Sequence, residues 1–188
     1  MIAPELLLQG YRLGVFPMAM PDDSIAWFSP DPRAIIPLQG FHVPHGLRRV
    51  ALKKTFEIRI DHRFGEVIRG CAKRKDTWIN REIIETYEEL HALGFAHSVE
   101  AWKDGKLAGA LYGVAVGGAF FGESMFHRVT DASKIALVAL VERLRAHKFA
   151  LLDTQWLTPH LKQFGAIEVS RNHYLKLLRR AVELPCEF

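Results

Sequence analysis

The sequence predicts an α/β protein in which helices pack on a mixed sheet behind a small irregular N-terminal lobe. Three observations carry this. Three strand-like segments between residues 96 and 126 are joined by tight-turn dipeptides. An amphipathic helix and a short apolar strand follow between residues 131 and 155. Seven of the nine prolines lie at or before Pro44, which sets the first forty or so residues apart in texture. With 188 residues, 49% hydrophobic and 24% charged, the chain can bury one sizeable core and a small appendage.

The elements follow in order. Pro4 to Leu13 reads as one short helix. FPMAMPDDS and FSPDPRAIIPL cannot continue as helices, because each proline removes an amide donor and biases its predecessor toward extended backbone. We therefore place the lobe at residues 1–40 and the main domain at 41–188. FEIRI from Phe56 alternates like a half-buried strand, and the spacing of Phe64, Val67, Ile68 and Cys71 is helical. Asn80 can cap a second helix with Ile83, Ile84, Tyr87, Leu90 and His91 on one face and Gly94 at its end.

AHSVEAW, KLAGALYGVAVG and AFFGESMF then form an antiparallel meander, turning at Asp104-Gly105 and Gly117-Gly118, residues that tolerate positive φ. A helix starting at Thr130 or Asp131 buries Ala132, Ile135, Ala136, Ala139, Leu140 and Leu144. The strand FALLDTQ, a short helix near Pro159 to Phe164, the strand AIEVS and a helix from about Arg171 complete the chain. This order suits an acyltransferase core of the N-acetyltransferase type, by analogy of fold alone.

A net charge of +4 and a pI near 9.2 permit a polyanionic partner but describe a mildly basic solvated surface equally well. Cys71 and Cys186 form no CxxC pair and no disulfide framework, so a reducing compartment fits best. The apolar N-terminal stretch is interrupted by Gln9, Tyr11 and Arg12 and lacks a basic leader, so neither secretion nor membrane insertion is expected.

Eight blocks in order carry a resemblance: GVFPM (14–18), WFSPDPRA (27–34), TWI (77–79), LHxLGxAHSVExW (90–102), LYGVAxG (111–117), FGESMF (121–126), ASKxAL (132–137) and LLDTQ (151–155). Together they resemble the signature blocks of leucyl/phenylalanyl-tRNA-protein transferases and cover nearly the whole chain. There are two departures: the GVFP block lies close to the start of the sequence, and Met18 stands where the family typically has tryptophan.

The resemblance implies a cytoplasmic aminoacyltransferase, and a monomer is expected because no heptad or obviously exposed apolar helix asks for a partner. It would move Leu, Phe or Met from aminoacyl-tRNA to the α-amine of acceptor proteins beginning with Arg or Lys, marking them for degradation. Aminolysis of an already activated ester needs positioning, proton management and charge stabilisation, with no metal or redox cofactor. Asp153 and Gln155 end an apolar strand two residues apart, hence on one face. The resemblance gives Gln155 the reacting amine or ester and Asp153 an orienting or charge-holding role; a polar strand end satisfied by loop amides is the alternative. Glu123 would be a second carboxylate for the cationic acceptor, or else the partner of a buried arginine.

The aminoacyl side chain would occupy a pocket of Leu111, Phe120, Met125, Leu140 and Leu152, any of which could instead be ordinary core. Trp78 and Met18 would meet the terminal adenosine, Met18 through its polarisable thioether. Trp27, Trp102 and Trp156 read as packing. Arg48, Arg49, Lys53 and Lys54 form the densest basic cluster, either a solvated run or a phosphate-contacting surface for tRNA.

Two other functions are compatible with the fold class. An acyl-CoA-dependent N-acetyltransferase would carry a glycine-rich loop at the helix after the meander, where this chain has FHRVTDASK. A noncatalytic RNA- or peptide-binding module finds its support in Met18.

Overall fold

A computed structural model describes residues 1–73 and 77–188. The helices are α1 (Pro4–Arg12), α2 (His45–Leu52), α3 (Phe64–Ala72), α4 (Arg81–Ala92), α5 (Ala132–Ala146), α6 (Pro159–Lys162) and α7 (Arg171–Val182). The strands are β1 (Phe16–Ala19), β2 (Ile25–Phe28), β3 (Arg33–Ile35), β4 (Glu57–Ile60), β5 (Ala96–Lys103), β6 (Lys106–Val116), β7 (Ala119–His127), β8 (Leu151–Gln155) and β9 (Ile167–Val169).

The meander forms as expected. β5 and β6 meet at Asp104 and Gly105, both at positive φ (50° and 71°), and β6 and β7 meet at Gly117-Gly118. Asn80 caps α4 by accepting from the Ile83 amide at 3.0 Å. α5 then crosses over, so that β8 lies parallel to β7 while every other pairing of the sheet is antiparallel. The result is a mixed seven-stranded sheet ordered β4-β5-β6-β7-β8-β3-β9, with β1 and β2 as a separate hairpin. Meander, helix and parallel strand thus follow one another in the order the sequence predicts, in a mixed α/β core. No helix among the described residues is long and apolar enough to cross a membrane.

Two elements depart from the sequence reading. Residues 33–35, assigned to the irregular lobe, are a strand of the main sheet between β8 and β9. Proline density suggests irregular backbone there, yet Arg33 to Ile36, between Pro32 and Pro37, contains none. Arg48 and Arg49 of the basic cluster lie on the helix α2, to which the sequence reading assigned no element and which buries Leu47 against the α5 side of the sheet; Lys53 and Lys54 follow its end.

The sheet separates two apolar layers. On one face α1, α3, α4 and α7 bury Leu7, Tyr11, Ile68, Tyr87 and Tyr174 against Tyr112 and Leu151. On the other, Ala136, Leu140 and Leu144 of α5 cover Leu111, Phe120 and Leu152. Adjacent residues such as Leu151 and Leu152 thus belong to opposite layers, as strand alternation requires.

Candidate active site

The parallel pairing of β7 with β8 runs from Ala119/Leu151 to Phe121/Asp153 and stops there. Beyond that point each strand carries an irregularity. Between β6 and β7 the register shifts so that Tyr112 faces Ser124 and Gly113 faces Gly122, leaving Glu123 as the extra residue. Between β3 and β8 it shifts so that Ala34 faces Gln155 and Ile35 faces Asp153, leaving Thr154 extra. Bulges of this kind re-aim side chains at the ends of pairing. Here Gly122 to Met125 and Thr154 to Trp156 line one cavity of about 590 Å³.

Its floor and walls are apolar, with Leu111, Met125, Leu137, Leu140 and Leu152, and its mouth carries Met18, Trp78 and Trp156. Four of the five expected pocket residues therefore line it. Phe120 does not: it is fully buried in the same apolar layer as Leu111 and Leu152, its ring stacked on Phe188 at 5.1 Å. It lies on the paired part of β7, before the strands diverge. Met18 and Trp78 come together because the Ala19 amide donates to the Trp78 carbonyl at 3.1 Å.

Glu123 is the polar centre. Its Oε1 accepts from the Tyr11 hydroxyl (2.7 Å) and from Gln155 Nε2 (3.1 Å), while the hydroxyls of Tyr11 and Tyr87 bond each other. Its Oε2 is buried and has no hydrogen-bond partner among the described residues. Burial raises the carboxyl pKa to about 7, opposed by the bonds from Tyr11 and Gln155 and reinforced by the nearby Asp153 charge. No arginine pairs with Glu123 among the described residues.

The buried arginine belongs to Asp153. Arg33 donates through Nε to Oδ1 (3.0 Å) and through Nη2 to Oδ2 (2.6 Å), and both side chains are essentially inaccessible. The guanidinium also donates to the Gly14 carbonyl (3.0 Å) and to the Tyr174 hydroxyl (3.3 Å), between the rings of Phe16 and Tyr174. Burial acts against its charge, but the bonds to Asp153 outweigh this and raise its pKa. Tyr174 completes the group by donating to Asp153 Oδ2 at 2.7 Å.

Asp153 does not line the cavity, whereas Gln155 does; both still turn toward the layer of Tyr11, Tyr87 and Tyr174, as the shared face predicts. Asp153 reaches Tyr174 of α7, and beyond the extra residue Thr154 the left-handed backbone of Gln155 (φ 65°) carries the glutamine to Glu123 at the cavity. The link between them is the Gln155 amide, which donates to Asp153 Oδ1 at 2.9 Å and so restrains that turn. The alternative of a strand end satisfied by backbone amides is thus partly realised at Asp153.

Sequence reasoning missed Arg33, Tyr11, Tyr87 and Tyr174. A signal existed for Arg33, a lone charge directly before Ala34-Ile35-Ile36. It also missed Trp156, which is 41% exposed and set edge-on to Phe16 at 5.2 Å, so that it lines the cavity as well as packing. Trp102 is buried as expected and donates to Glu100. Trp27 is partly exposed over Gly10, where an added Cβ would meet its ring at 2.5 Å. Arg48, Arg49, Lys53 and Lys54 are all exposed, and none lines the cavity.

Comparison with known proteins gives consistent results. The model of the leucyl/phenylalanyl-tRNA protein transferase family matches residues 35–179, and that of the family's N-terminal domain matches residues 1–31. Among curated relatives, the leucyl/phenylalanyl-tRNA--protein transferase of Akkermansia muciniphila is 58% identical over 97% of both chains. Its namesake from Herpetosiphon aurantiacus is 54% identical over all of this chain and 98% of its own. A solved structure of L-PGS from Bacillus licheniformis matches with a TM-score of 0.45 at 13% identity, covering 84% of this chain and 55% of that one. With family models spanning most of its length and relatives above half identical end to end, the chain belongs to the leucyl/phenylalanyl-tRNA protein transferase family.

Proposed function

We propose that the protein transfers leucine or phenylalanine, and methionine as a third donor residue, from aminoacyl-tRNA to the N-terminal α-amine of acceptor proteins beginning with Arg or Lys. The observation that carries this reading is one cavity combining an apolar chamber, an aromatic mouth and a buried Glu123–Gln155 couple. The chamber of Leu111, Met125, Leu140 and Leu152 suits a large apolar side chain, and Met125 can adjust to a branched or a flat one. Trp78 offers a face to the terminal adenine, with Met18 beside it.

In the reaction the acceptor nitrogen attacks the ester carbonyl carbon and the bond to the ribose oxygen breaks. The nitrogen loses a proton and the ribose oxygen gains one. A carboxyl poised near 7 is suited to carry that proton, and Oε2 of Glu123 is the oxygen without a hydrogen-bond partner among the described residues. With Nε2 of Gln155 committed to Glu123, its amide oxygen is the atom left to orient the incoming amine. Asp153 acts indirectly, as a positioning residue: it restrains Gln155 and neutralises Arg33. The ionised form of Glu123 also favours the cationic N-terminus of an Arg or Lys acceptor.

In this reading residues 1–40 deliver Met18, Arg33 and Tyr11 to a catalytic domain of residues 41–188, and Arg48, Arg49, Lys53 and Lys54 meet the phosphates of the acceptor stem. The protein acts as a monomer in the cytoplasm, where charged tRNA is made. The test supplies leucyl-, phenylalanyl-, methionyl- and alanyl-tRNA, and separately acetyl-CoA, to an Arg-initiated peptide. Mass spectrometry should find one added Leu, Phe or Met and little or no Ala or acetyl. Acetylation would favour the acyl-CoA reading, and tRNA binding without any product would favour a binding module.

A further inference from the structure

A second groove of about 420 Å³ opens beside the first cavity and shares Met125 and His127 with it. Its other lining residues are Gly70, Lys73, Phe126 and Arg128. The floor is the Phe126 ring, which fits closely over Gly70: an added Cβ there would fall 2.6 Å from the ring. The Arg128 guanidinium sits 5.3 Å from that ring, held by Glu66 at 2.9 Å and by the Leu107 carbonyl at 3.2 Å. Lys73 and His127 are exposed at the rim. The groove thus combines one aromatic face with cationic or protonatable groups and has no acidic lining residue among those described.

We propose that this groove receives the single-stranded 3′ end of the tRNA just upstream of the terminal adenosine, with Lys73 contacting a phosphate. The proposal rests on the aminoacyl-tRNA reading of the main cavity. Charge selects between the two substrates. A basic acceptor N-terminus is disfavoured beside Lys73, whereas a nucleic-acid strand gains from it; the Arg128 charge is offset by Glu66. Position agrees, since the shared residues Met125 and His127 make the groove a direct continuation of the cavity that Trp78 lines.

The test compares the parent with Lys73→Ala and Lys73→Glu on three probes: aminoacyl-tRNA, an aminoacyl-adenosine that ends at the adenine, and a single-stranded oligonucleotide with the tRNA 3′ sequence. In Lys73→Ala the slope of log affinity against log salt for the oligonucleotide, read by fluorescence anisotropy, should become shallower by about 0.7. KM for aminoacyl-tRNA should rise severalfold, more in Lys73→Glu, while transfer from aminoacyl-adenosine changes less than twofold. An unchanged slope with unchanged KM overturns the proposal. A rise in the acceptor peptide's KM alone also overturns it, by giving the groove to the acceptor. If the parent binds the oligonucleotide through Lys73 but transfers nothing, the transferase reading fails and the groove assignment stands.

Discussion

Replacing Arg33 with methionine should destabilise the protein more than any single change at the cavity surface. The substitution keeps much of the side-chain volume but removes four donated bonds: two to Asp153 (3.0 and 2.6 Å), one to the Gly14 carbonyl and one to the Tyr174 hydroxyl. Asp153 is 0% exposed, so its carboxylate stays buried with only the Tyr174 hydroxyl and the Gln155 amide as donors. Breaking a buried ion pair from one side costs about 3–5 kcal/mol. In a chain of this size each kcal/mol lowers Tm by about 2–4 °C, so the fall should be about 6–20 °C. Urea and thermal unfolding of Arg33→Met, Asp153→Leu and the double variant form a cycle. The double variant should cost far less than the sum of the singles, with a coupling of about 2 kcal/mol or more. Additivity within about 0.5 kcal/mol would refute the claim that the pair is one unit.

Further predictions concern the cavity and its rims. Because Glu123 titrates near 7 in the fold and near 4.5 when unfolded, the native state holds a proton that the unfolded chain releases between those values. Stability should therefore fall as pH rises from about 4.5 to about 7 and then level, by about 3 kcal/mol at most, and Glu123→Gln should flatten this trend. In the same variant the acidic limb of the kcat/KM profile near 7 should disappear and turnover should drop. Trp78→Ala should raise KM for aminoacyl-tRNA by the worth of one stacked base, about 1–3 kcal/mol, and Met18→Trp should lower it; steady-state kinetics at fixed acceptor reads both. Arg48→Ala with Arg49→Ala should weaken tRNA binding and make its salt slope shallower by up to about 1.8, measured by filter binding.

Much of the fold was legible because its signals are local. Asp104-Gly105 and Gly117-Gly118 turn where the dipeptides say they should, and Asn80 caps where its side chain can reach the Ile83 amide. The site was legible mainly through block resemblance, which brought Glu123, Gln155, Trp78, Met18 and four chamber residues to one cavity. What escaped depends on long-range partners. Nothing near Tyr11 in sequence announces Glu123, 112 residues away, and nothing near Arg33 announces Asp153, 120 residues away. Alternation could not tell that of Asp153 and Gln155 only the glutamine reaches the cavity, because the register shift between them is set by the neighbouring strand and leaves no mark in the five residues LLDTQ. Proline counting likewise hid β3, whose strand character comes from pairing with β8 and β9 on either side.

The most direct test of the central claim is transfer of radiolabelled leucine from leucyl-tRNA to a peptide beginning with Arg, run beside the same peptide blocked at its α-amine. Label should appear in the free-amine peptide alone, released as one residue by a single Edman cycle. Equal labelling of the blocked peptide, or none of either while the tRNA remains bound, would contradict the account.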